Sequence, residues 1–260
     1  KTTEAVLVAD VEGFRTLNID RPAAHLVREL IQNALDEEGV TSLDVNVTYH
    51  GPYKGTTVKV TDDSPTGIRD PKLIFTLWLS DKEDSHTKRG RMGRGLKELV
   101  SVADQTVIRS CAIDALVFKR HKGGRWVRQT KPKLGRPEAG TEVTAYVRGW
   151  GEKAAKQITA FLRRVRAPKT MTMSVNGEVV APFTAAESYP MFLTTVVFEL
   201  DNSERKARER TKNCVVECFS PPPGERAQVY EMGIPVEECD GPVSIDVGQI
   251  MFGQTVTASG

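Results

Sequence analysis

Hydrophobic and polar positions change period several times along the chain, and each change predicts an element. Between residues 20 and 38, Val27, Leu30, Ile31 and Ala34 recur at helical spacing. Asp20 offers an N-cap, Pro22 suits the first turn, and Gly39 supplies a stop. Residues 43–49 and 57–61 alternate with period two around a Gly51-Pro52 turn, which predicts an antiparallel pair. A helix is expected over 71–79, a charged glycine-rich segment over 80–95, and another helix over 96–103. Strands follow at 106–109, 115–120, 125–130 and 141–148. Ala155, Ile158, Phe161, Leu162 and Val165 then mark an amphipathic helix over 152–166, ended by Ala167-Pro168.

From residue 171 the pattern is almost wholly β, at 171–175, 194–200, 214–219 and 229–232, with Asn176-Gly177 as a hairpin turn. The expected class is α+β. In the first two-thirds, helices cover one face of a mixed, mostly antiparallel sheet. Domains are expected at 1–185, an α+β unit, and 186–260, a smaller and incomplete β-rich module.

Composition narrows this little. The 260 residues carry 27% charged and 39% hydrophobic side chains, as in an ordinary globular protein. A net charge of +2 does not by itself argue for nucleic acid. The basic runs 88–91, 163–166 and 205–208 are a weak regional hint, better explained as solvated faces and helix C-terminal charges. Cys214 and Cys218, four apart on an expected strand, would sit roughly 13 Å apart, too far for a disulfide. With Cys111 and Cys239 they are expected to be free thiols in a reducing cytoplasm. No apolar run is long enough to span a membrane, and the abrupt ends suggest a trimmed longer polypeptide.

Candidate chemistry begins at residues 28–37, Arg-Glu-Leu-Ile-Gln-Asn-Ala-Leu-Asp-Glu. Glu29, Asn33 and Asp36 stand at i, i+4 and i+7, within about 60° of one another on a helix. A base, an amide oxygen and a second acid are thereby aligned as a hydrated cation and an activated water require. An ordinary polar helix face would show the same triplet.

Three further patterns follow in order. Residues 58–68 run from a strand into Asp62-Asp63 and a turn closed by Gly67 and Ile68. An acid there can accept a hydrogen bond from an exocyclic amino group. Gly90-Arg-Met-Gly93-Arg94-Gly95-Leu96-Lys97 precedes a helix, so backbone N–H groups can approach phosphate oxygens and Lys97 can add charge. Gly140-Thr141 opens a strand with a hydroxyl able to bond a base or a bridging water.

In this order, over residues 15–185, the four patterns resemble the Bergerat-fold, or GHKL, ATP-binding family of gyrases, ninety-kilodalton chaperones, histidine kinases and MutL-type proteins. The resemblance implies ATP and Mg²⁺ as cofactors and a Bergerat-type α/β sandwich. Glu29 would be the general base for the attacking water and Asn33 the Mg²⁺ ligand. Asn33, Asp36, Asp62, Asp63, Gly67, Ile68, Gly90, Gly93, Arg94, Gly95, Leu96, Lys97 and Thr141 would line the nucleotide site. The usual adenine box is Asp-x-Gly-x-Gly, and residues 62–67 depart from it. Counting back from Gly67 selects Asp63, whereas strand alternation through Val58 and Val60 selects Asp62, which is preferred.

Glu29 with Asp36-Glu37 looks like the hydrolysing branch, and Gly93–Lys97 is similar to a MORC-type lid. The β-rich tail looks like the start of a transducer module, whose lysine in many relatives reaches the γ-phosphate; Lys206 and Lys212 lie in that half. The expectation is therefore a cytoplasmic ATPase whose lid closure drives homodimerisation, with DNA or a protein as client and no membrane partner. The alternative is a nucleotide-binding regulatory module with little hydrolysis, of a phage or defence type. A histidine-kinase-type phosphotransferase is disfavoured, because no phosphoacceptor helix is visible.

Overall fold

The computed structural model describes residues 10–76, 95–135, 137–181, 184–201 and 204–248. They fall into two compact units, the first ending at Ala181 and the second beginning at Pro182.

The first unit is α+β. Its eight strands are β1 (Ser42–Tyr49), β2 (Thr56–Asp62), β3 (Gln105–Ser110), β4 (Ile113–Arg120), β5 (Trp126–Lys131), β6 (Thr141–Val147), β7 (Thr172–Val175) and β8 (Glu178–Val179). They form one sheet in the order β5-β4-β3-β6-β2-β1-β7-β8. All neighbours are antiparallel except β1 and β7. The expected antiparallel pairing of β1 and β2 is present, with Val45 opposite Val60.

Period-two patterning decides which side of the sheet is covered. Leu43 and Val45 of β1, Val58 and Val60 of β2, Ile108 of β3, and Val143 and Ala145 of β6 are all buried. Their registers place them on a single face. Among the described residues this unit has five α-helices: α1 (Val11–Asn18), α2 (Ala23–Leu35), α3 (Lys72–Phe75), α4 (Gly95–Val102) and α5 (Glu152–Leu162). α2 packs on β2 and α5 on β1, while α2 also meets α4 and α5. Leu26, Val27, Leu30 and Ile31 of α2 are at most 4% exposed. Each contributes about 1.5–3 kcal/mol by leaving water.

Several boundaries differ from expectation. α2 starts at Ala23 with Pro22 as its N-cap residue and no side-chain cap, so Asp20 does not cap it. Its last helical residue is Leu35 and its C-cap Asp36, short of the expected end near Glu38. α5 stops at Leu162, where Arg163 becomes its C-cap. α1 was not expected: Asp10 caps it by accepting from the Glu12 and Gly13 N–H groups. Its pattern is obscure because Leu17 is 77% exposed while polar Asn18 is buried. Asn176 and Gly177 both adopt positive φ between β7 and β8, as the Asn-Gly signal requires.

The second unit is a five-stranded sheet in the order β12-β11-β13-β10-β9. Its strands are β9 (Glu187–Asp201), β10 (Glu204–Phe219), β11 (Ala227–Glu231), β12 (Ile234–Cys239) and β13 (Ser244–Val247). Phe219 and Tyr230 pack with ring centroids 5.3 Å apart. Cys111, Cys214, Cys218 and Cys239 are free. Among the described residues, no helix is long and apolar enough to cross a membrane.

Candidate functional site

Two of the motif segments meet at the ends of β2 and β6. Alternation along β2 buries Thr56, Val58, Val60 and Asp62 in succession, so Asp62 is the last residue of the core-facing series. Register places Thr141, the first residue of β6, directly opposite it. Asp62 Oδ1 accepts from the backbone N–H of Thr141 at 3.2 Å and of Ser64 at 3.0 Å. Among the described residues Oδ2 takes no hydrogen bond. Burial raises the Asp62 carboxyl to about 6, against the lowering effect of those two N–H groups.

Asp63 is engaged differently. Its carboxylate accepts from the Thr41 N–H at 2.8 Å, the Thr41 hydroxyl at 2.6 Å and the Ser42 N–H at 2.9 Å. Those bonds hold its carboxyl below the usual range despite desolvation. Asp63 thus fastens the entry to β1, while Asp62 stands beside Thr141.

The turn after Asp63 is stitched to the same place. The Gly140 N–H donates to Ser64 O at 2.7 Å, and Cys111 N–H to Gly140 O at 3.0 Å. Gly140 has φ +80°, and a Cβ there would fall 1.7 Å from Asp62 O, so only glycine fits. Ser110, at the end of β3, accepts from the Ile68 N–H at 2.8 Å and lies 3.4 Å from the Thr141 hydroxyl. Gly67 brings the turn so near that a Cβ would fall 2.3 Å from Ser110 Oγ. Ser110 and Ser64 organise this corner, and nothing in their sequence context marks them.

The third cluster lies where α2 meets α4. Glu29 keeps 22% of its side-chain exposure, with Arg28 Nη2 at 3.5 Å from Oε1. Desolvation raises its carboxyl and nearby Glu98 adds to the rise; Arg28 and Arg21 oppose it. Gly95, the first residue of α4, abuts it: a Cβ would fall 2.2 Å from Glu29 Oε2. Arg21, just before α2, is tied to Glu98 of α4 by Nη1 and Oε2 at 2.5 Å, with side chains 19% and 5% exposed. Arg15 on α1 donates to the Ser101 and Val102 carbonyls at the C-terminal end of α4. Arg21 and Glu98 were not expected, since neither stands out without knowing that their elements touch.

Lys97 is buried on α4, and desolvation lowers its ammonium to about 8. Asn33 is half-buried, one turn beyond Glu29 on α2, and its side chain makes no hydrogen bond among the described residues. Asp36 is buried at the C-cap of the same helix. Leu96 is half-buried in the first turn of α4. Gly90, Gly93 and Arg94 lie outside the described residues.

The sequence matches no family model and no curated protein. The fold, in contrast, has a solved counterpart. The chain is similar to the crystal structure of the N-terminal domain of a DNA repair protein, with a TM-score of 0.51 over 92% of this chain and 87% of that one. Identity is 13%, so the likeness is one of fold alone.

Proposed function

We propose that the first unit is a GHKL-type module of Bergerat fold that binds ATP with Mg²⁺ and hydrolyses it. The observation that carries this reading is the placement of Glu29 against the start of α4. It supplies a desolvated carboxylate with raised proton affinity where the glycine-rich segment enters a helix. Such a carboxylate suits a general base.

The residues fit the implied groups. Asp62 retains an unused carboxylate oxygen at the base-binding corner, able to accept from an exocyclic amino group. Asn33 has an uncommitted amide oxygen suited to a hard cation, and the Mg²⁺ it would hold supplies charge neutralisation at the phosphates. Glu29 would take the proton from water, and Lys97 with the N–H groups at the head of α4 would hold phosphate oxygens. Thr141 and Ser110 would fix the base-binding corner. Closure of the glycine-rich segment over nucleotide would drive homodimerisation as a switch or clamp.

Calorimetry with a non-hydrolysable ATP analogue and Mg²⁺, paired with phosphate release by wild type and Glu29→Gln, tests this. Wild type should bind and turn over. Glu29→Gln should bind within a few-fold and turn over about 10²–10⁴-fold more slowly. Binding without phosphate release at dimer-forming concentrations would replace hydrolysis with a regulatory module. No binding would overturn the reading.

A further inference from the structure

The edge hairpin of the first unit carries a charge imbalance that ATP chemistry leaves unexplained. From Ala115 to Pro137 the sequence has eight lysines and arginines and no acid. With 34 acids in 260 residues, a stretch of that length would ordinarily hold about three. β4 and β5 form the hairpin, and β5 is the last strand on its side of the eight-stranded sheet. Its tip is a tight loop: the His121 N–H donates to Arg125 O at 2.8 Å, and Gly123 and Gly124 have positive φ.

Pairing and exposure sort these cations. Arg120 is committed, donating to Glu12 of α1 from Nη2 at 2.6 Å and from Nε at 3.1 Å. Lys119, Lys122, Arg125, Arg128 and Lys131 are exposed, and among the described residues none of them has a carboxylate partner. Arg128 holds its guanidinium carbon 3.9 Å from the Phe75 ring centroid, a contact that leaves its charge unpaired. The nearest acids are engaged or distant. Glu12 also takes the Trp126 indole N–H, Asp104 accepts from the Arg148 N–H, and Asp114 stands at the far end of β4 from the tip. Register places Lys119 and Lys131, opposite Val127 and Ala115, on one face of the sheet. Arg128, opposite Phe118, belongs to the other. Edge strands commonly carry such residues to blunt chance pairing, which accounts for Arg128 and Lys131. It does not account for Lys119, on an interior strand, or for Lys122 and Arg125 at the tip.

We propose that the β4–β5 edge binds duplex DNA, with Lys119, Lys122, Arg125, Arg128 and Lys131 on its phosphates. A sheet with side chains on both faces is about 10 Å thick. The B-form major groove, about 12 Å wide, accepts such an edge with a phosphate strand on either side. The corresponding groove of duplex RNA is too narrow and deep. Single strands call for exposed rings on which bases stack, whereas Phe118 is buried and Trp126 is tied to Glu12. A membrane surface calls for apolar side chains beside the cations, whereas the exposed positions of β5 are Arg128, Gln129, Thr130 and Lys131. Contacts to phosphate carry no base preference, so binding is independent of sequence and steeply dependent on salt. Such binding requires no hydrolysis by the first unit.

The test is fluorescence anisotropy of a labelled random-sequence duplex against the full chain without nucleotide, from about 50 to 200 mM salt. Five phosphate contacts should give a slope of log K against log salt near −4.5, a fall of roughly 500-fold across that range. Replacing all five cations by Gln should bring the fall below about tenfold. Lys122→Gln with Arg125→Gln, confined to the exposed tip, should flatten the slope by about 1.8. Lys153→Gln on α5 should change it by less than about 0.5. Lysine acylation of wild type, read by mass spectrometry, needs no variant: duplex should protect Lys119, Lys122 and Lys131 but not Lys153. Absent binding, an unchanged slope in the tip variant, unprotected hairpin lysines, or tighter binding to duplex RNA, single-stranded DNA or phosphatidylserine vesicles would each overturn the proposal.

Discussion

Gly95 and Glu29 touch so closely that a methyl group on the glycine would overlap the carboxylate, 2.2 Å from Oε2 and 2.4 Å from the glutamate Cβ. The start of α4 can reach α2 only because residue 95 has no side chain. Gly95→Ala should therefore push Glu29 or α4 aside. The expected cost is about 1–3 kcal/mol of stability, as for other overpacked sites. Phosphate release should fall at least tenfold even where the protein remains folded. Thermal unfolding and turnover measured on one preparation check both, and a folded variant with unchanged turnover would remove Glu29 from the chemistry.

Asp62 should affect nucleotide binding and stability in opposite directions. Its carboxyl titrates at about 6 in the fold against 3.8 as the ordinary value. The folded state therefore holds more protons than the unfolded chain between those values, and stability declines as pH rises from about 4 to 6. The full shift corresponds to about 3 kcal/mol. Asp62→Asn should flatten that decline and be the more stable protein at pH 7.5, while binding ATP at least tenfold more weakly. Wild-type affinity for adenine nucleotide should in turn drop below pH 6. Denaturant melts across pH and calorimetry at pH 5 and 7.5 measure the two effects.

Lys97 should announce phosphate through a proton. Burial lowers its ammonium to about 8, so close to half the molecules carry a neutral amine at pH 8. A phosphate placed beside it favours the charged form. Nucleotide binding at pH 8 should then take up about half a proton, and almost none at pH 6.5. Calorimetry in buffers of different ionisation enthalpy counts it. Lys97→Met should abolish the uptake; uptake that persists in this variant would place the charge elsewhere.

The Arg21–Glu98 pair is largely withdrawn from water, at 19% and 5% side-chain exposure. Breaking it is costlier than replacing it, because a buried carboxylate then loses its Arg21 guanidinium. Arg21→Ala should lose about 3–5 kcal/mol at pH 7.5, whereas Arg21→Met with Glu98→Leu should recover most of that loss. Urea unfolding of the two variants separates pairing from packing. Equal losses would show that packing dominates.

Legibility in the sequence followed the reach of each signal. Val58, Val60 and Asp62 share a period of two, so alternation placed Asp62 with the core before any contact was known. The alignment of Glu29 with Asn33 was readable because one helix holds both. Arg21, Glu98, Ser64 and Ser110 were not, because each acts on a partner in another element. α1 stayed hidden because its exposed leucine and buried asparagine invert the usual pattern. β9 and β10 are far longer than the apolar runs at 194–200 and 214–219, since charged residues prolong the pairing without any hydrophobic mark.

The parallel pairing of β1 with β7 has a consequence for how the chain reaches this state. Ser42 lies beside Thr172, and the Ser174 hydroxyl bonds the Asp44 carboxylate across a sequence separation of 130 residues. On a ribosome, β1 emerges long before the strand that will cover its outer edge. Until β7 arrives, an open edge capable of pairing with a neighbouring nascent chain persists. Closing so distant a contact makes this step slow, and the order of synthesis, more than final stability, sets the interval in which aggregation competes with folding.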